Sequence, residues 1–169
     1  YLILSALYES FLVPFAVILS VPMGLMGSFL FAKFMGLENN IYLQTGLIML
    51  IGLLAKTAIL LTEYATQRRL SGMSLTSAAL SAAKVRLRPI LMTALTMIFG
   101  LLPLIVSNGV GANGNRSLGT GAVGGMLIGT LALLFIVPCL FITFQYLQEK
   151  LRPIQFERSL DWQVQEEVK

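Results

Sequence analysis

Histidine is absent from this 169-residue sequence, and cysteine occurs once, at Cys139. A metal site of the usual histidine type is excluded, and so is an intrachain disulfide. Cys139 lies in the apolar run FIVPCLF and reads as a small buried apolar residue. Charge is scarce: 12% of residues are Asp, Glu, Lys or Arg, against about 25% in a soluble domain. Acids are scarcest of all, and Glu9, Glu38, Glu63 and those after Tyr146 all stand outside the middle of an apolar run. No nucleophile–base pair, carboxylate pair or metal cluster stands out, which argues against an enzyme. The chain also lacks an initiator methionine and a basic-then-apolar leader. Tyr1–Leu7 reads as the tail of a hydrophobic helix, so a piece of a longer protein is expected.

Apolar residues fill the space that charge leaves. They make up 56% of the chain, with a mean hydropathy of +0.81, and gather into long runs. Such runs predict an all-α, polytopic transmembrane helix bundle and not a barrel of short alternating strands. The net charge of +4 gives no argument for nucleic acid, because the basic residues stand beside the runs, where orientation accounts for them. Four complete spans are expected at about 11–34, 41–66, 86–106 and 117–146, with the end of a fifth at Tyr1–Leu7, forming one bundle over 1–146. Pro14 falls in the first turn of its span, where a missing N–H does no harm. Pro22 with Gly24 and Gly27 predicts a kink and a close helix contact. The segment at about 70–83 is too polar to span and predicts a short interfacial helix capped by Ser74 or Thr76. Pro103 is expected to bend or end the third span. Residues 147–169 form a mixed-charge tail, as a short interfacial helix or irregular. Arg68–Arg88 holds Arg68, Arg69, Lys84, Arg86 and Arg88 with no acid, which places segment 67–88 in the cytoplasm. Counting crossings puts Tyr8–Ser10 and the C-terminus on that side, and the loops Met35–Asn40 and Ser107–Arg116 outside.

One cation breaks the second complete span, IYLQTGLIMLIGLLAKTAILLTEY. The run is roughly 33 Å or more as a helix, and Lys56 lies inside it. A charge at that depth costs about 2.5–3.5 kcal/mol on insertion scales. Lys56 stands well before the polar helix end, so snorkelling accounts for it poorly, and it must face a polar partner or a wet cavity. Gly52, one turn earlier on the same face, leaves room for a neighbouring backbone, and Thr57 adjoins. Glu63 shares the face but lies about 10 Å along the axis; it is expected to pair with Arg68 or Arg69. Arg86, Thr93 and Gly100 recur every seven residues on one face of the next span. Arg86 reads either as a positive-inside anchor or as the start of a polar stripe running inward to Thr93. Arg88, on another face, reads as an anchor, and Thr96 as bonding its own helix.

In GTGAVGGMLIGT, Gly119, Gly121 and Gly124 spell G-x-G-x-x-G, but a loop precedes them where a strand is needed. Gly121, Gly125 and Gly129 recur every four residues, the spacing of close helix packing in membranes. No carboxylate in the chain suits Lys56, so its partner is expected on a segment outside it. Within the chain, Lys56 is expected to be underpaired, turned toward Thr93 or a backbone carbonyl.

ALYESFLVPFAVILSVPMGLMG, IYLQTGLIMLIGLLAKTAILLTEYA, AAKVRLRPILMTALTMIFGLLPL and GTGAVGGM, in this order and spacing, resemble the C-terminal membrane half of resistance-nodulation-division (RND) multidrug efflux pumps of the hydrophobe/amphiphile type. The resemblance covers about Ala6–Phe144. It implies a fragment of a twelve-span transporter of the bacterial inner membrane, homotrimeric when whole, exporting amphiphilic drugs by drug/proton antiport. A periplasmic adaptor and an outer-membrane channel would be its partners, the proton its coupling ion, and no cofactor is implied. Lys56, Arg86 and Thr93 match the family's proton relay, completed by two aspartates on a span outside this chain. Thr57 departs from the family's usual asparagine, which leaves its part in the relay open. The alternatives are an exporter of lipid or metal ions within the same superfamily, or a structural membrane subunit without transport activity.

Overall fold

The computed structural model describes residues 1–153. It contains α1 (Leu2–Tyr8), α2 (Val13–Phe34), α3 (Ile41–Leu70), α4 (Leu75–Ile105) and α5 (Ala112–Leu151), and no strand among the described residues. Helices α2 to α5 are each long and apolar enough to cross a membrane, so this is a multi-pass membrane protein built as a helix bundle. The 40 residues of α5 measure about 60 Å, twice a hydrocarbon core of about 30 Å, so its ends project beyond the apolar layer.

Helix α5 is the centre of the bundle: it packs against α2, α3 and α4, while α2 meets α3 and α3 meets α4. Its small residues explain why. Gly114, Gly119, Gly121, Gly124, Gly125 and Gly129 are buried along one half of it, which lets neighbours approach to backbone contact. A β-carbon on Gly129 would stand 3.1 Å from the Gly24 Cα of α2, and one on Gly125 would stand 2.1 Å from Leu50 Cδ2 of α3. Leu43 fills the space over Gly121 in the same way, and Phe31 that over Gly124. The G-x-G-x-x-G glycines thus lie inside a packed helix. The other half of α5 packs with ordinary side chains, Leu133, Val137 and Phe141.

Helix α3 begins where sequence chemistry marks it. Asn40 is extended (φ −128°), and its side-chain oxygen accepts from the Leu43 N–H at 2.9 Å, an N-cap. Its amide donates to Ser117 Oγ of α5 at 2.9 Å, so one residue starts α3 and ties it to the central helix. Gly72, at φ +96°, makes the tight turn into α4.

Three sequence expectations change. The separate interfacial helix at 70–83 and the span at 86–106 are one helix, α4, that runs through Pro89 and Pro103. Ser74 caps it, accepting from the Ser77 N–H at 3.3 Å. Ala78, Ala79 and Ala82 are buried, so packing carries the helical path through the polar segment, and an apolar layer offers freed backbone groups nothing better than a helix. The tail expected from 147 begins as the last turn of α5; the rest of it, 154–169, lies outside the described residues. Cys139, expected to be buried, is exposed, because the buried stripe of α5 falls on Val137 and Phe141. It lines an apolar groove with Phe135, Pro138 and Leu87.

Candidate functional site

The buried positions of α3 are Leu43, Gly46, Leu50, Leu54, Ala58, Leu61, Thr62 and Ala65, a helical stripe facing α5. At 100° per residue, Gly52 and Lys56 point the other way, and both are exposed in the bundle. The face that makes the fold and the face that carries the cation are thus opposite sides of one helix.

Lys56 lines one side of a cleft of about 190 Å³ between α3 and α4. Leu53, Thr57, Leu60 and Leu61 continue the α3 wall. Arg86, Pro89, Ile90 and Thr93 form the α4 wall, with Met126 of α5 adjoining. The three polar residues singled out in the sequence therefore meet in one cavity, although they come from two helices. Gly100, on the same heptad face of α4, lies outside the cleft lining, and a β-carbon there meets nothing within 4 Å.

The hydroxyls of the cleft are already committed to backbone. Thr93 donates to the Pro89 carbonyl at 2.9 Å, and Thr57 to the Leu53 carbonyl at 3.0 Å. Such bonds to the carbonyl one turn back satisfy a hydroxyl where water is absent; Thr96 makes one to Met92 as expected. Among the described residues Lys56 has no hydrogen-bond or ion-pair partner, so the expected turn toward Thr93 or a carbonyl is not made. Gly52, expected to admit a neighbouring backbone, meets no atom of this chain within 4 Å.

Arg86 has a partner that sequence reading missed. Its guanidinium carbon stands 5.3 Å from the centre of the Tyr64 ring, and its Nε is buried without a hydrogen-bond acceptor. The phenol oxygen of Tyr64 accepts from Arg68 Nε at 3.0 Å and from its Nη2. Tyr64 stands four residues before Arg68 and shares a side of α3 with the cleft residues Thr57 and Leu60; that spacing was the available signal. Glu63 pairs with neither Arg68 nor Arg69, because positions five and six apart diverge around a helix. Arg69 instead clasps Glu149 of α5 at 2.7 and 2.8 Å, at helix ends beyond the apolar layer. The guanidinium holds the Glu149 carboxyl below its usual range.

A membrane-crossing bundle held by a glycine-lined central helix, with a lysine, an arginine and a threonine in one cleft, defines a polytopic membrane protein with an ionisable site. The sequence places it further: residues 1–145 match the model of the AcrB/AcrD/AcrF family, and the chain belongs to that family. The multidrug resistance protein MdtF of Escherichia coli K12 is 44% identical over 148 residues, which cover 87% of this chain and 14% of that protein. The toluene efflux pump membrane transporter TtgB of Pseudomonas putida is 44% identical over 142 residues, covering 84% and 14%. TtgE, also a toluene efflux pump membrane transporter of Pseudomonas putida, is 46% identical over 143 residues, again covering 84% and 14%. The chain thus spans about a seventh of the length of these relatives. The resemblance to RND multidrug efflux transporters read from the motifs is borne out.

Proposed function

We propose that this chain forms part of a proton-driven efflux transporter of the bacterial inner membrane, a secondary active drug/proton antiporter. It contributes the Lys56, Arg86 and Thr93 side of the proton relay. The observation that carries this reading is the shared cleft, which puts Lys56 opposite Arg86 and Thr93 with no carboxylate among its lining residues. A cation so placed needs an anion from elsewhere in the protein. When carboxylates facing it are ionised, the ammonium offsets their burial; when one takes a proton, that attraction weakens and the helices carrying the pair shift. The proton is the coupling ion, and no cofactor enters this scheme.

Family membership supports the wider assignments. The whole protein is read as a homotrimer working with a periplasmic adaptor and an outer-membrane channel on amphiphilic substrates, with the ends bearing Arg68–Arg88 and Arg152 in the cytoplasm. The test is Lys56→Ala in the full-length protein, reconstituted in vesicles with a pH gradient. Substrate extrusion and coupled proton flux both vanish while the amount of protein in the membrane is unchanged. Retained extrusion by that variant removes the relay assignment.

A further inference from the structure

The Arg86 guanidinium lines the cleft with no carboxylate beside it, and its buried Nε lacks an acceptor. A cation in that position is costly unless something offsets the lost water. Among the described residues, the ring of Tyr64, 5.3 Å from the guanidinium carbon, is the group that does so. The attraction between a cation and an aromatic face strengthens as water is excluded. We propose that Tyr64 is the positioning residue of the cleft: its ring holds Arg86 at the end of the cleft nearest the basic helix termini, and Arg68 holds the ring. The proposal rests on the relay reading of Lys56, Arg86 and Thr93.

Three features support it. The ring is itself fixed, since its oxygen accepts from Arg68 Nε at 3.0 Å and the Arg68 guanidinium carbon lies 5.1 Å from the ring centre. Leu53, Thr57, Leu60 and Tyr64 recur at steps of four, three and four residues, so the ring continues the cleft wall of α3. And the ring belongs to the helix that carries Lys56, while the cation it holds belongs to α4. Any slide of α4 along α3 therefore changes how well Arg86 is held, which ties the position of one cleft cation to the register of the two helices.

Lys56 of α3 lines the same cleft as Arg86, and Arg68 lies across the Tyr64 ring; Glu63, which adjoins Tyr64 on α3, is not among the lining residues. Met126, the residue that α5 gives to the cleft, does not titrate. Lys84 and Arg88 of α4 are exposed on other faces of their helix. Removing the ring frees the guanidinium to leave for water and lipid headgroups at the basic helix ends. Positive charge then leaves the cleft, and carboxylates that take up protons there do so at higher pH.

The experiment uses the full-length transporter in proteoliposomes, with ethidium as the transported probe and entrapped pyranine reporting protons across a range of pH. Tyr64→Leu is expected to move the pH of half-maximal transport up by about one unit. Tyr64→Phe, which keeps the ring, retains the original profile. Arg68→Gln, which loosens the ring without removing it, gives a smaller shift in the same direction and serves if Tyr64→Leu does not fold. An unmoved profile in Tyr64→Leu, or in Arg68→Gln where Tyr64→Leu fails to fold, overturns the proposal; so does a Tyr64→Phe profile displaced as far as that of Tyr64→Leu. Arg86→Ala separates the two levels. If it transports normally, the relay reading itself fails; if it is inactive while Tyr64→Leu behaves as the unmodified protein, only the positioning role fails.

Discussion

Gly124→Ala is the most revealing single methyl that can be added to this bundle. Its β-carbon would stand 2.2 Å from Phe31 Cβ and 2.6 Å from Phe31 Cγ, against an ordinary carbon–carbon contact of about 3.5 Å. The shortfall is about 1.3 Å, and no rotamer relieves it, because a β-carbon moves only with its backbone. Helices α2 and α5 must separate. Overpacking of this kind costs about 1–3 kcal/mol, offset by up to about 1 kcal/mol for the better helix propensity of alanine. Relative to Gly100→Ala, which has the same propensity gain without the clash, a loss of about 1–3 kcal/mol follows, read as a lowered midpoint of thermal unfolding of the full-length protein in detergent. Gly125→Ala is the informative contrast. There the clash is with Leu50 Cδ2 at 2.1 Å, the far end of a flexible side chain, so adding Leu50→Ala removes the steric strain. For Gly124→Ala, adding Phe31→Ala does not help, since alanine keeps the offending atom, whereas Phe31→Gly does. Gly100→Ala, which meets nothing within 4 Å, serves as the reference. A Gly124→Ala protein as stable as Gly100→Ala would refute the close approach of Phe31 of α2 to Gly124 of α5.

Two further perturbations address the ends of the helices. Asn40→Ala removes both the cap on Leu43 and the bond to Ser117; a loss of about 1–2 kcal/mol is expected, visible as faster hydrogen exchange in the first turn of α3. Glu149→Gln breaks the forked pair with Arg69 and is expected to cost about 1 kcal/mol. Because the carboxyl is held below its usual range, its contribution is present above the pKa of the unfolded chain. It is lost as pH falls through the lower folded value, so the two proteins converge in stability in strong acid.

Much of the bundle was legible because membrane packing writes itself in short-range patterns. The repeat of Gly121, Gly125 and Gly129 announced a close crossing; that Leu43, Leu50 and Leu54 of α3 fill it is a long-range fact that the spacing does not contain. The loop ending at Asn40 before an apolar run marked the start of α3, while the cap that Asn40 makes on Leu43 emerged with the structure. The continuity of α4 was hidden because Pro89 and the polar residues before it are local signals for a break, while the burial of Ala78, Ala79 and Ala82 that overrides them is tertiary. At the site, the heptad step put Arg86 and Thr93 on one face and the resemblance grouped them with Lys56; the fold adds the cleft that they share, with Pro89 and Ile90 of α4 and Met126 of α5 in its lining. Tyr64 escaped notice because an aromatic residue near a helix end reads equally well as an interfacial anchor.

The division of α3 into two faces bears on how the proposed relay would act. Toward α5 the helix is seated by Leu43, Leu50 and Leu54 against glycines, with little space for independent movement. Away from α5 it offers Gly52 and Lys56, exposed in this bundle. A force on the Lys56 ammonium is therefore transmitted to α3 as a body, and through the glycine contacts to α5 and α2. The cleft toward α4 is a side where α3 and a helix packed on it leave open space between them. In the proposed relay, a change of charge opposite Lys56 therefore has an outlet as movement of α3 relative to α4, across the cavity lined by Arg86 and Thr93.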